Sequence, residues 1–297
     1  MYNDYVHIFC IKTLILYIIY YNLDISQAAN ELLEPRIIGG YECRKYPKIN
    51  TKFMVVIVYI RQHNCGGSLL NQNWVLTAAH CLDKWPLYVT DAVTRDKHYN
   101  DYSKYDLDES CPLHRIRKFY IHSEYEYDKY DVYNDIALAR LDSPMPKTKT
   151  IQYVKLPSVI KGDVSDICNI GLLMGWGLTN QTKYTIAEKL MCVDLRILPH
   201  SDCIKPFDIP KTQICTETSY VKGMCMGDSG GPLMCGDFQC GIASYGNPNC
   251  TSGRPAFYTR VDKFLDFIKW TMENNASQII FLNFLIYLFV IIIYNIE

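Results

Sequence analysis

Gly227-Asp228-Ser229-Gly230-Gly231-Pro232 is the stretch that decides the reading of this chain. A hydroxyl between glycines is held on a turn whose backbone N–H groups are free to converge on one point. Taken alone, such a segment is an ordinary turn. Two upstream stretches change its meaning: Thr77-Ala78-Ala79-His80-Cys81 and Asn134-Asp135-Ile136-Ala137-Leu138. Together they supply an imidazole, a carboxylate and a hydroxyl, in that chain order. A serine hydroxyl is a poor nucleophile at neutral pH and needs a base within hydrogen-bond reach. His80 can take the proton of Ser229 and later deliver it to a leaving group. A buried Asp135 would hold one imidazole tautomer and stabilise the imidazolium. A lone histidine is most often a plain core or surface residue; the coincidence of all three stretches carries the argument.

A further segment, Arg36-Ile37-Ile38-Gly39-Gly40, places a basic residue before a small apolar start. At these motifs, over roughly Ile37 to Asn275, the chain resembles the trypsin/chymotrypsin-like serine proteases, which are made as zymogens. The resemblance implies an all-β fold of two six-stranded antiparallel Greek-key barrels with a C-terminal α-helix. It implies peptide-bond hydrolysis through an acyl-enzyme, with His80, Asp135 and Ser229 catalytic and the amides of Gly227 and Ser229 forming the oxyanion hole. Asp228 is expected to serve activation: cleavage after Arg36 frees the Ile37 ammonium, which meets Asp228 in the core. A buried charge is costly unless paired, so the uncut chain should have its oxyanion hole unformed.

The chain has 13 cysteines, which points to an oxidising compartment. The resemblance implies the pairs Cys43–Cys192, Cys65–Cys81, Cys168–Cys235, Cys203–Cys215 and Cys225–Cys250. Cys10, Cys111 and Cys240 are left over. Cys10 lies in an N-terminal apolar stretch. Cys111 and Cys240 are free, pair with each other, or reshuffle the Cys168–Cys235 assignment.

Residues 1–28 read as a signal peptide, with an uncleaved signal anchor as the alternative, and 29–36 as an activation propeptide. Residues 37–275 form the protease domain. Val261 to Asn274 carries apolar residues at helical spacing. Residues 276–297 are a hydrophobic tail. Its apolar run from Ile279 to Tyr294, broken by Asn283, would span about 24 Å as a helix, short of the roughly 30 Å hydrocarbon core. It reads as a membrane span or a lipid-anchor signal, the latter without the usual polar spacer; the alternative is a tail packed on another surface. The expected location is secreted or extracellular, with tethering through the tail.

The net charge of −1 gives no strong field for nucleic acid. β-Rich runs such as Phe53 to Ile60, broken by Gly, Pro and Asn turns, agree with a β fold. Between Cys81 and Asp135 lies a long Tyr-rich, acidic segment, notably Tyr99 to Ser110 and Tyr125 to Tyr133. It reads as a solvated loop, with a substrate-facing insertion as the alternative and no ligand spacing for calcium. Sequons begin at Asn180, Asn249 and Asn275, as in a glycoprotein. No metal or cofactor enters this reading.

In the resembling family an Asp at the base of the specificity pocket selects Arg or Lys. The matching position here is Gly223. With Met224 beside it, and Gly246 and Ala256 as walls, the pocket should take a large apolar or aromatic residue. Ser244, also counted among the pocket residues, opens the Ser244-Tyr245-Gly246 strand that should pair with substrate backbone. The expected partners are protein or peptide substrates, protein inhibitors, and an upstream trypsin-like activating protease, since Arg36 suits such a pocket poorly. The rival from another class is a catalytically silent homologue acting as a binding module; a second rival keeps catalysis but serves a narrow proteolytic cascade.

Overall fold

The computed structural model describes residues 39–59, 62–83, 90–94, 114–128, 132–180, 185–187, 189–203, 209–219, 222–250 and 252–275. The expected signal peptide, the expected propeptide with Arg36, the expected new terminus Ile37, most of the Tyr-rich segment, Cys10, Cys111 and the hydrophobic tail lie outside them.

The described strands, in chain order, are β1 (Tyr41–Glu42), β2 (Met54–Tyr59), β3 (Gln62–Asn71), β4 (Trp74–Thr77), β5 (Thr90–Thr94), β6 (His114–Ile121), β7 (Glu126–Tyr127), β8 (Val132–Tyr133) and β9 (Ala137–Leu141). They continue with β10 (Ile170–Gly175), β11 (Leu178–Asn180), β12 (Thr185–Ile186), β13 (Met191–Arg196), β14 (Gln213–Thr216), β15 (Pro232–Cys235), β16 (Phe238–Tyr245) and β17 (Ala256–Arg260). A short helix, His200–Cys203, precedes β14, and residues 265–275 form the closing helix.

The first barrel is closed, in the order β2-β3-β4-β9-β6-β5. Met54 to Val58 are buried at every position, not at alternate ones. One face fills the barrel and the other is covered from outside, so the strand reads as a continuous apolar run. The second sheet runs β1-β13-β10-β15-β16-β17-β14. Its ends meet: Ile197 bridges Thr216, Leu198 N–H donates to the Cys215 carbonyl at 3.0 Å, and Glu217 N–H donates to the Arg196 carbonyl at 2.8 Å. Six strands therefore curl into a second barrel. The seventh, β1, lies on its outer edge, where Tyr41 pairs with Cys192 and Glu42 with Met191. The Cys43–Cys192 disulfide pins that edge.

The barrels share one apolar core. At their junction Gly66 N–H donates to the Ser229 carbonyl at 2.7 Å. A Cβ on Gly66 would lie 3.0 Å from the Gly231 Cα. Only glycine allows that approach, and it brings the Ser229 turn of the second barrel against the first.

The closing helix follows the second barrel but docks on the first. Phe264 and Ile268 are buried, and Tyr120 Oη–H donates to Asn275 Oδ1 at 2.7 Å. Arg140 Nη1 donates to the Asn275 carbonyl at 2.7 Å. Asn275, a sequon residue, thus anchors the helix end. Trp270, part of the apolar pattern, points outward at 66 % exposure.

Cys43–Cys192, Cys65–Cys81, Cys203–Cys215 and Cys225–Cys250 form as the resemblance implied. The fifth pair needs correction. Cys235 bonds to Cys240, and Cys168 is a free, buried thiol. The reason is local register. β15 and β16 form a hairpin whose pairing shifts between Leu233 and Met234: Met234 faces Gln239, but Leu233 faces Gly241. Cys240 is the extra residue of that bulge, and the bulge re-aims its side chain toward Cys235.

Candidate active site

β4 ends at Thr77, and the chain turns through Ala79–Cys81 in a single 3₁₀ turn. Ala78 and Ala79 are buried, and the Cys65–Cys81 disulfide ties the turn to β3. The imidazole of His80 emerges from this clamp with its side chain 25 % exposed.

Asp135 sits between β8 and β9, after Asn134 in the left-handed region at φ 49°. Asparagine tolerates that conformation better than most residues. The Asp135 carboxylate is fully buried. His80 Nδ1 lies 2.7 Å from its Oδ2, and the His80 backbone N–H donates to Oδ1 at 3.0 Å. The Ser244 hydroxyl donates to Oδ2 at 2.5 Å, and the Thr259 hydroxyl holds the Asp135 carbonyl at 2.9 Å. Burial pushes the Asp135 pKa up; the charge and hydrogen bond of His80, then the Ser244 hydroxyl, outweigh it and hold the group below the ordinary carboxylate value. An ionised Asp135 fixes the proton of a neutral His80 on Nδ1. That leaves Nε2 with a lone pair to accept another.

Ser229 lies in a turn that opens with Gly227 at φ 91° and continues through Gly230 at φ 75°. Gly230 N–H donates to the Ala243 carbonyl, and Ala243 N–H donates to the Gly231 carbonyl, both at 2.8 Å. A Cβ on Gly230 would meet Thr77 Oγ1 at 2.2 Å and Cys81 Sγ at 3.1 Å. The residue after Ser229 is therefore packed against the residue after His80. The three motifs, far apart in sequence, are carried to the junction of the barrels.

Asp228 is completely buried beneath this turn. Its Oδ1 accepts from Gly177 N–H and its Oδ2 from Cys225 N–H, each at 2.9 Å. Cβ atoms on Gly175 and Gly177 would fall 2.3 and 2.5 Å from its carboxylate oxygens. Burial pushes its pKa up to about 7, against the two N–H donors. Its expected partner, Ile37, lies outside the described residues, as does Arg36.

Three of the expected pocket residues, Met224, Gly246 and Ala256, are neighbours. Gly223 and Met224 are buried, and Ala256 opens β17. A Cβ on Gly246 would lie 3.3 Å from Met224 Cε and 3.7 Å from Ala256 Cβ. The methionine methyl thus sits beside both walls. Gly223 is flanked by Thr218 and the Cys250 carbonyl. Ser244, expected on the substrate strand and among the pocket residues, turns its side chain to Asp135. That bond joins residues 109 apart in sequence, and no local pattern announces it.

Among the described residues, two groups have metal-ligand proximity: Cys65, His80, Cys81 and Cys168, Cys235, Cys240. Each contains a disulfide, which removes the thiolates a metal would need.

A family profile described as Trypsin matches residues 37–268. The chain belongs to the trypsin family. This trypsin-family chain is 35 % identical to mouse Kallikrein 1-related peptidase b3, over 82 % of its own length and 92 % of the relative's. It is 36 % identical to the snake venom serine protease pallabin-2 of Gloydius halys, over 86 % and 93 %. A third relative, Beta-fibrinogenase mucrofibrase-3 of Protobothrops mucrosquamatus, is 34 % identical. As a member of this family the chain is a serine endopeptidase.

Proposed function

We propose that this endopeptidase cuts its substrates with Ser229 as nucleophile, His80 as general base and acid, and Asp135 as the buried anion that orients and stabilises the imidazole. The observation that carries the reading is the His80–Asp135 contact at 2.7 Å with the carboxylate wholly buried. Ser229 Oγ attacks the scissile carbonyl while its proton passes to His80 Nε2. The carbonyl oxygen gains negative charge and takes hydrogen bonds from the Gly227 and Ser229 amides. The imidazolium returns the proton to the leaving amine, and water then cleaves the acyl-enzyme by the same route.

Activation proceeds by cleavage after Arg36, which supplies the Ile37 ammonium to Asp228. The preferred residue before the scissile bond is apolar or aromatic. Gly223 offers no carboxylate to a cation, and Met224 presents its methyl beside Gly246 and Ala256. The substrates are extracellular proteins or peptides, the regulators are protein inhibitors and an upstream trypsin-like protease, and the hydrophobic tail tethers the chain to a membrane. Its disulfides suit that setting.

An active-site-directed fluorophosphonate should label the cleaved protein, and Ser229→Ala should lose both labelling and turnover while keeping its melting temperature. Peptidase activity persisting in purified Ser229→Ala would overturn the assignment.

A further inference from the structure

Gln213, the first residue of β14, is 3 % exposed. Glutamine is seldom buried this completely, and an apolar side chain would fill the space with no polar group to satisfy. Both ends of this amide are engaged. Nε2 donates to the Val132 carbonyl in β8, and Oε1 accepts from the Tyr245 hydroxyl at 3.0 Å. A carboxylate could only accept and an ammonium could only donate; a neutral amide does both in one rigid plane.

The two partners are not arbitrary. Val132 begins the run Val132-Tyr133-Asn134-Asp135, which delivers the buried carboxylate. Tyr245 follows Ser244, whose hydroxyl donates to that same carboxylate at 2.5 Å. Gln213 therefore closes a circuit: Asp135 to Ser244, along the chain to Tyr245, through the amide to Val132, and back along the chain to Asp135. The circuit joins the β7–β8 hairpin to strands of the second barrel. Tyr245 is also fixed from below, stacked on Phe257 with ring centroids 4.7 Å apart and planes at 16°. With Phe257 setting its plane and Gln213 its hydroxyl, the tyrosine has one orientation.

We propose that Gln213 is a positioning residue for extended substrates. It sets Tyr245, and with it the Ser244–Gly246 strand, at a fixed distance from the Val132 edge, so that residues upstream of the scissile bond meet a preformed surface. This rests on the reading above, that Ser244-Tyr245-Gly246 pairs with substrate backbone. A preformed strand binds its partner without the cost of being ordered first. Releasing the amide should therefore weaken binding of long substrates more than it slows the chemistry.

The test uses the cleaved full-length enzyme, a single-residue ester, and a five-residue peptide amide with the same residue before the scissile bond. Gln213→Met keeps the length of the side chain and removes both hydrogen bonds. It should raise KM for the peptide about tenfold, the effect of one lost hydrogen bond, with kcat within about twofold. The peptide-to-ester ratio of kcat/KM should fall by the same factor. Tyr245→Phe, which removes only the hydroxyl, should lower that ratio too, and the double variant should lose no more than the larger single loss. An equal loss on both substrates, or a fall in kcat with KM unchanged, would reduce Gln213 to a core residue and overturn the proposal. So would an unchanged ratio in both variants. If Gln213→Met fails to fold, Tyr245→Phe carries the same test alone. Fluorophosphonate labelling of the wild type separates the two levels: without labelling the catalytic reading falls, whereas labelling with an unmoved ratio overturns only the role of Gln213.

Discussion

Asp228→Asn should change the sign of its effect when the chain is cut. In the uncut protein the Asp228 carboxyl is wholly buried, held by two backbone N–H groups and raised by burial from 3.8 to about 7. A raised carboxyl pKa means that the folded state binds the proton more tightly than the unfolded one. Stability is then undiminished below the unfolded value and falls as pH rises from about 4 through about 7. A shift of this size corresponds to about 4 kcal/mol lost at pH 8, at roughly 1.4 kcal/mol per unit. Asparagine cannot ionise, so the uncut variant escapes that loss. Its amide can accept from only one of the two N–H donors, which takes back about 1–3 kcal/mol. At pH 8 the uncut Asp228→Asn should therefore be the more stable protein by a few kcal/mol at most, and at pH 5 the advantage should vanish or reverse.

On the proposed activation, cleavage after Arg36 should invert this. The Ile37 ammonium would give the wild-type carboxylate a counter-charge, and its pKa should drop. In the variant the ammonium would enter a site with no anion, at a cost of about 3–5 kcal/mol. The cut variant should slide back toward the zymogen conformation and lose kcat/KM by about two orders of magnitude or more. The first assay is urea denaturation of uncut protein at pH 5 and pH 8 in a Ser229→Ala background. The second is kcat/KM of cleaved Asp228→Asn in the catalytic background, with N-terminal sequencing to establish Ile37 as the new terminus. Equal kcat/KM in cleaved variant and wild type would refute the ion-pair switch while leaving the triad untouched. Lower stability of the uncut variant at pH 8 would refute the unpaired-carboxyl argument.

Two further outcomes follow from the site and from the cysteines. In kcat/KM, substrates with Phe, Tyr or Leu before the scissile bond should exceed those with Arg or Lys, and Gly223→Asp should shift the ratio toward Arg by about tenfold or more; Arg preferred by the wild type, or efficient self-activation of a clean zymogen, would sink the pocket reading. Alkylation of the unfolded, unreduced chain should label Cys168 and leave Cys235 and Cys240 unlabelled, while in the folded protein at pH 8 labelling should be slow, because burial pushes the Cys168 thiol up to about 11; a peptide linked through Cys168 and Cys235 would show the other pairing.

What sequence made legible divides along a physical line. His80, Asp135 and Ser229 each stand in a short stretch whose neighbours have local work: alanines that bury a turn, an asparagine that takes a left-handed angle, glycines that open one. Such work leaves a local pattern, so the motifs announced both the chemistry and the barrels that carry them. The features that escaped depend on register between strands distant in sequence or on a shift within a hairpin. Cys240 looked surplus because a bulge is invisible in the spelling of Met234 to Gly241, yet that one extra residue decides which sulfur Cys235 meets. The edge strand β1 needed the partner it finds at Met191 and Cys192. Ser244 read as backbone for a substrate and proved also to be a donor to Asp135. Gln213 carries no local signal, since a glutamine at the start of a strand is ordinary until its two partners are known. Local stretches of this chain thus hold the proposed reacting groups, while their alignment across the barrel junction rests on side chains whose partners only the folded register supplies. That division is why substitution at Ser244 or Gln213 should disturb substrate placement and proton affinity by degrees, whereas substitution at His80 or Ser229 should remove the reaction itself.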